Sequence, residues 1–551
     1  MNKNLAFWIT AWPAIAMSAC ATLQPPRPPR LETAKACADW RWIGISRPGV
    51  PCPDIPGWTM RPLFPQVGPA APRSEDSCAA REPEQGDLRA AKESEKVPGP
   101  DVIRELSRFC VYEAADRWPG RPLAPPARSA ELVRLDQDCA ALATSGTADP
   151  GAKREESSYH DFMAESGLPA QPFKIVNPHG VRLAFLDTQP TSEELPKWQG
   201  RSQHGFALAY IGRRLVCEGE QGESCAARIT TRLALPIIDF NPKSLKLTRR
   251  DLRRGGYLGM QSDLAEAIRS EVDAWWTERR LGGSERHLVL NLSLAWDGRL
   301  FGGLGEDQIA EIQAGTQAVY RVLQYAAGFD ALVLAAAGNA QVEPCVSYGP
   351  LLPAAWEAGS VREEICREHG RPLLYAVGGL QAGDSALGNA RPGGMPRRAA
   401  YAENAVVRCP LPSGYTATLT GTSVGTAVVS SIAAVVWSAF PEKSAAEVME
   451  ILDRSGEQLS MPADFWFGAS ANPAAPRPHV HKLSLCAALE QACAQAGPDC
   501  RLRLQLRCDP MPQRASSALP RPADPSAWPR ESCQPWLYPQ PESLPCPGCP
   551  P

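Results

Sequence analysis

Ser423 lies in the run Leu419-Thr420-Gly421-Thr422-Ser423-Val424-Gly425-Thr426-Ala427, and upstream of it the chain supplies an aspartate, a histidine and an asparagine. A serine hydroxyl becomes a nucleophile when an imidazole takes its proton and a carboxylate fixes that imidazole's tautomer. Each role has a candidate. Asp187 ends the apolar run 181–186, as in a buried parallel strand that delivers a carboxylate at its C-terminal edge, where open α/β sheets carry their chemistry. His204 opens the helical stretch His204-Gly205-Phe206-Ala207, and its imidazole is the candidate general base. Asn339 follows a second apolar strand, 331–337, and its carboxamide can donate to a developing oxyanion. A donor of that kind contributes about 10²–10³ in turnover. The chemistry these residues can do together is acyl transfer through the serine oxygen.

The elements that must position them alternate between apolar strands and helical stretches from about 172 to 490, which predicts a parallel sheet covered by helices on both faces. The apolar segment 424–440 is about 17 residues long, the lower edge of a membrane span. Placed directly after the serine and rich in small residues, it reads as a buried central helix whose N-terminal dipole favours negative charge.

In motif and in order, four segments resemble the subtilisin-like (subtilase) serine peptidase family. They are the strand ending Asp187-Thr188, the pair His204-Gly205, the stretch Ala336-Ala337-Gly338-Asn339 and the turn Gly421-Thr422-Ser423. The resemblance covers about residues 172–490 and implies an α/β, subtilisin-like fold in which Asp187 orients, His204 is the base, Ser423 attacks and Asn339 lines the oxyanion hole. It also implies that 287–294 flanks the substrate, with Ser293, Leu294, Ala295 and Trp296 binding it, and that Ser262-Asp263 caps a helix over 264–280. The stretches 353–356, 375–379 and 433–452 fit family positions too. Several residues depart from the pattern. Gln189 stands where the family has glycine, Phe206-Ala207 replace Thr-His, Ala427 replaces a common proline, and Ala295-Trp296 follow Ser-Leu where glycine is usual. A bulky Trp296 would narrow the primary specificity pocket and favour small substrate side chains.

Two other readings stand beside this one. Gly421-Thr422-Ser423-Val424-Gly425 also satisfies the nucleophile elbow of α/β-hydrolases, and Asp453 with His479 would complete an esterase triad in that fold's order. A subtilase-like domain can also be a catalytically inactive binding module, its Pro/Cys-rich ends docking an envelope complex.

Fifty-five prolines concentrate at the two ends, so irregular extensions are expected over 21–171, with a small helical module, and over 491–551. In the first extension 101–118 and 129–143 read as helical, with Cys110 and Cys139 able to tie them together. Subtilases commonly carry an N-terminal inhibitory prosegment, and this region is a poor match to one because it is proline-broken. The proline-rich C-terminal tail is a candidate contact for an envelope protein partner. A formal charge of −3 gives no sign of a nucleic-acid partner, and the basic stretch 248–254 reads as a solvated loop or helix face. No carboxylate cluster suggests a metal and no motif suggests a cofactor.

Residues 1–20 join a basic start to an apolar stretch and Ser18-Ala19-Cys20, a pattern that resembles a bacterial lipoprotein signal with Cys20 lipidated; an ordinary secretory signal cleaved near Ala19 is the alternative. Ala21 after Cys20 points to an outer-membrane anchor facing the periplasm or the surface, with acyl chains as the tether. Eighteen cysteines agree with an oxidising compartment. Cys217 with Cys225 and Cys345 with Cys366 are candidate loop closures. Cys486, Cys493, Cys500 and Cys508 read as a stapled module, and Cys546 with Cys549 as structural.

Overall fold

The computed structural model describes residues 37–65, 98–114, 125–149, 162, 175–189, 204–296, 313–339, 351–357, 367–461 and 479–508, apart from short stretches inside these spans. Ahead of the catalytic candidates come β1 (Cys37–Ser46), β2 (Trp58–Pro62), α1 (Pro100–Leu106), β3 (Phe109–Ala114), β4 (Leu132–Ala143) and β5 (Thr147–Asp149). Then follow β6 (Val181–Asp187), α2 (His204–Val216), β7 (Ala227–Leu233), β8 (Ile237–Asn241), β9 (Lys246–Arg250), β10 (Leu258–Met260), α3 (Gln261–Arg280), β11 (His287–Leu292) and β12 (Leu294–Ala295). The chain continues through α4 (Ala314–Gly328), β13 (Leu332–Ala336), β14 (Tyr375–Gln381), β15 (Arg398–Tyr401), β16 (Thr416–Thr420), α5 (Thr422–Ala439), α6 (Ala445–Ser455), β17 (Val480–Lys482) and α7 (Leu485–Ala496).

Seven strands of the nine-stranded main sheet run β7-β6-β11-β13-β14-β15-β17 and are mutually parallel, with the short strands Glu457–Leu459 and Ser385–Ala386 added antiparallel on β17 and β14. Its strands are buried on both faces, which is why they read as unbroken apolar runs. Alternate residues go to different cores. Ala184 and Leu186 of β6, Leu288 and Leu290 of β11 and Val333 of β13 join the residues of α3 and α4. Leu183 and Phe185, Val289, and Leu332 and Leu334 face α2, α5, α6 and α7 on the other side. Every residue of α5 is buried, so the one described helix with the length and apolarity of a membrane span serves as the core of that second layer.

Antiparallel strands form a second sheet in the order β9-β8-β10-β4-β1-β3-β2. Among its described residues the N-terminal extension is therefore largely β where helices are expected from the sequence. Of the described residues 101–114 only 101–106 are helical, and most of 129–143 is β4. Cys110 and Cys139 do not pair. β1 lies between the strands that carry them, two strand spacings of about 4.8 Å apart, beyond the reach of a disulfide. Cys37 bonds Cys139 across β1 and β4, and Cys52 bonds Cys110. The Cys217–Cys225 loop closes as expected, and the C-terminal module is stapled by Cys486–Cys508 and Cys493–Cys500. Cys20, Cys345, Cys366, Cys546 and Cys549 lie outside the described residues.

Candidate active site

Because β6, β11 and β13 are parallel neighbours, their C-terminal ends meet at one edge of the sheet, and there the chain places Asp187, Ser293 and Asn339. Asp187 is fully buried, and both of its oxygens contact His204 Nδ1, at 2.9 and 3.0 Å. An imidazole nitrogen between two carboxylate oxygens must carry its proton there, which leaves Nε2 with the basic lone pair. Thr188 N donates to Asp187 Oδ1 at 2.6 Å, and Gly205 N donates to Thr188 Oγ1 at 3.0 Å, so the strand end and the start of α2 are tied at two levels. Glycine at 205 eases this approach, since a Cβ would stand 3.0 Å from Asp187 Cβ and 3.2 Å from Gln189 N, so the strand end would have to shift by a few tenths of an ångström.

Ser423 is the second residue of α5 and is fully buried. Its Oγ lies 3.5 Å from Ser293 O, while Ser293 Oγ donates to Asn291 Oδ1 at 2.8 Å. The serine therefore sits at the end of β11, one strand over from Asp187. Asn339 Oδ1 accepts from Thr422 N at 2.9 Å and from Thr422 Oγ1 at 3.1 Å, which turns the amide's NH₂ end away from the helix start. The motif's last glycine is a packing requirement: a Cβ on Gly425 would meet Gly378 O of β14 at 2.5 Å. Asn339→Leu, which keeps bulk but removes the donor, is expected to lower turnover by about 10²–10³ with little change in KM, read from steady-state kinetics on a peptide substrate.

The esterase constellation does not assemble. Asp453 of α6 is bonded to Arg398, with Oδ2 at 2.7 Å from Nη2, and His481 pairs with that same Arg398. Arg398 begins β15, so both stand at the edge of the parallel sheet opposite Ser423. His479 is exposed just before β17.

The expected substrate-flanking strand is β11 continuing into β12, and β12 already has a partner. Leu294 pairs with Ala143 and Ala295 with Leu142, antiparallel. On the other side Leu258, Gly259 and Met260 of β10 pair with Leu142, Ala141 and Ala140. The end of β4 is thus an extended strand laid between β10 and β12. β5, which follows it in the chain, pairs with β16, the strand that leads into Ser423.

Buried charge holds β4 in place. Asp136 Oδ2 accepts from Ala314 N at the start of α4, at 2.9 Å. Two residues on, Asp138 accepts from Ser262 N at 3.3 Å and from Ser262 Oγ, at the start of α3. The helix cap expected from Ser262-Asp263 therefore comes partly from β4, and Asp263 itself reaches back to Met260 N at 3.0 Å. Arg41 of β1 is fully buried among Asp263, Asp138 and Glu113, at 2.8, 3.4 and 3.5 Å. Arg250, expected in a solvated stretch, is the last residue of β9 and joins them at Asp263. Burial pushes the Asp138 carboxyl up to about 6 against the pull of Arg41 and the Ser262 bonds. Burial alone would raise Asp263 as well, but Arg41 and Arg250 outweigh it and hold that carboxyl below its ordinary value.

Sequence reading missed the supporting residues Thr188 and Thr422, whose hydroxyls carry no signal of their own, and missed Asp136 and Asp138. Their i, i+2 spacing puts both carboxylates on one face once the segment is a strand. Trp296, expected at the wall of the specificity pocket, belongs to the buried core. Its indole is fully buried in the core behind β12, edge-on to Trp356.

The parallel sheet with helices on both faces, and the edge at which Asp187, Ser293 and Asn339 meet, have the arrangement that the subtilisin-like resemblance implies. Residues 276–468 match the model of the Subtilase family (Peptidase_S8), so that stretch is a subtilase segment and the resemblance carried by its motifs holds there. It contains Ser293, Asn339 and Ser423 and begins after Asp187 and His204. No curated protein matches the chain. Among solved structures, the MycP3 protease from the type VII (ESX-3) secretion system is 20% identical with a TM-score of 0.37, covering 64% of this chain and 92% of that one. The prenylagaramide maturation protease PagA is 16% identical with a TM-score of 0.35, covering 61% and 99%. Sphericase is 15% identical with a TM-score of 0.35, covering 54% and 88%.

Proposed function

We propose that the chain is a cell-envelope serine endopeptidase, tethered by a lipid on Cys20, whose own β4 and β5 occupy the substrate cleft until they are displaced. The observation that carries this reading is the buried Asp187–His204 pair, one strand from a serine whose flanking strand β12 already holds an extended chain. In the reaction His204 Nε2 takes the Ser423 proton as Oγ bonds to the substrate carbonyl carbon. The negative oxygen of the tetrahedral intermediate lies toward Asn339 Nδ2 and the amide end of α5. Collapse breaks the C–N bond, the departing amine receives the proton from His204, and water repeats the sequence to free the acyl group from Ser423. No step calls on a metal or cofactor, and the substrate is a protein or peptide.

Fluorophosphonate labelling of membrane and soluble fractions tests the reading, using the full chain and Arg41→Met, a change that weakens the hold on β4. Labelling in either form that is lost with Ser423→Ala and with His204→Ala, and kept with His479→Ala, supports it. Labelling that moves to the soluble fraction in Cys20→Ser supports the anchor. Absence of label from both forms would sink the enzyme reading in favour of a subtilase-like binding module. Loss with His479→Ala alone would favour the esterase.

A further inference from the structure

Asn339 can hold an oxyanion only while its turn stays in place, and a segment later in the chain holds that turn. Residues 351–357 run from the oxyanion edge of the sheet back to the start of β15. At the near end Leu351 N donates to Ala337 O at 3.0 Å, two residues before Asn339, and Leu352 exchanges both backbone hydrogen bonds with Trp296, at 2.9 and 3.0 Å. The Leu351 side chain packs on Gly338, where a Cβ would stand 2.6 Å from its Cδ1. Gly338 has a φ of +96°, a bend that glycine takes without strain. Between its ends the segment is one tight helical turn over Ala354–Trp356. Ala355 N donates to Leu351 O at 2.8 Å and Glu357 N to Ala354 O at 3.1 Å, and residues 352–356 are all buried. What fixes Glu357 therefore fixes Leu351.

The far end is fixed by charge. The Glu357 side chain is 16% exposed, and both of its oxygens are in use: Oε1 accepts from Arg398 Nη1 and Oε2 from Ala376 N of β14. Arg398 is buried in turn, bonds both oxygens of Asp453 on α6 and lies over the Tyr375 ring, 4.9 Å from its centroid. The next residue of β14 closes the loop, since Val377 O accepts from Ala337 N at 3.0 Å. Ala337 is thus bonded to β14 through its N–H and to the 351–357 segment through its carbonyl, and Glu357 ties that segment back to the same place on β14.

We propose that Glu357 is a positioning residue for the oxyanion donor: through residues 351–357 it sets where Gly338 and Asn339 stand relative to Ser423. The proposal rests on the endopeptidase reading and adds a residue to its machinery. Glu357 touches no reacting atom and acts through Asn339, so its effect must disappear once the Asn339 donor is gone. A carboxylate can serve both Arg398 and Ala376 N, whereas a carboxamide of the same shape accepts at one end and presents an N–H to the other donor. Glu357→Gln therefore breaks one tie while Arg398 keeps Asp453 as its counter-ion.

The test is a double-variant cycle in the full chain: wild type, Glu357→Gln, Asn339→Leu and the two together, with kcat, KM and melting temperature measured for each on one peptide substrate. Fluorophosphonate labelling of the wild type establishes the active serine first. Glu357→Gln alone is expected to lower kcat by about 10–10²-fold, up to the cost of a misplacement of about 1 Å, with KM little changed. In the Asn339→Leu background the same substitution should change kcat by less than about twofold, because residues that act through one group are not additive. A role in stability alone would lower the melting temperature and give the same factor in both backgrounds. Equal factors overturn the proposal, as does an unchanged kcat in Glu357→Gln. Where the amide variant does not fold, Glu357→Asp, which keeps the charge and both acceptor oxygens on a shorter arm, is read in the same two backgrounds by the same criterion. A wild type that takes no label refutes the enzyme, whereas a labelled wild type with an additive cycle refutes the positioning role alone.

Discussion

Ser423→Ala and His204→Ala are each expected to lower peptide hydrolysis by about 10⁶, and the double variant should be no slower than either single one. The two side chains act in one step: without the imidazole the hydroxyl keeps its proton, and without the hydroxyl the imidazole has nothing to activate. Asp187→Ala should cost less, about 10⁴, because the imidazole stays in place but loses the partner that fixes its tautomer. The direct contact of both Asp187 oxygens with Nδ1 is the basis for that ranking. Turnover on one peptide, measured with matched melting curves, checks it. Effects that multiply in the double variant would show that serine and histidine do not share a step.

The residues in that prediction were legible in the sequence because each is marked locally. An apolar run that stops at a carboxylate, a glycine beside a histidine at a helix start, and a serine ahead of a small-residue helix are all readable within ten residues. The two-faced sheet was legible for the same reason, since strands buried on both sides leave unbroken apolar runs. What could not be read depends on partners distant in sequence. Leu132–Ala143 carries apolar residues at both strand and helix spacings, and it is a strand because β1, β10 and β12 pair with it. The cysteine pairing followed that error, since only the sheet order tells Cys139 from Cys110 as a partner for Cys37. Trp296 reads as a pocket wall for its size, but its place in the core is set by Trp356, a partner 60 positions later in the chain.

β4 also links the site to its control, through a cluster that crosses from the N-terminal sheet to α3. Arg41 supplies the cation that Asp138, Glu113 and Asp263 share, and all of Arg41 is buried. Its removal takes the cation away from the fully buried Asp138 while Arg250 still contacts Asp263 and Glu113, and breaking a buried ion pair in this way costs about 3–5 kcal/mol. Arg41→Met should therefore open the cleft in the intact chain and raise the rate of fluorophosphonate labelling of Ser423 by roughly 10²–10³. An unchanged rate would mean that β4 does not limit access to the serine. The same cluster gives the hold on β4 a dependence on pH, with a sign set by Asp138. Its carboxyl is raised to about 6 when docked, so the docked state binds the proton more readily than the open one. The stabilisation is complete below about pH 4 and is lost as pH rises through about 6, an effect on the order of 3 kcal/mol for a shift of that size. Asp263 is shifted the other way, so its contribution is present above pH 4 and falls away only in stronger acid. Between pH 4 and 7 the hold should therefore weaken as pH rises. The ratio of labelling rates between wild type and Asp138→Asn isolates the latch: relative to the variant, the wild type should open progressively above pH 5. A ratio that stays flat from pH 4 to 7 would remove Asp138 from the control of the cleft and leave the Arg41 cluster as a fixed, pH-independent clasp.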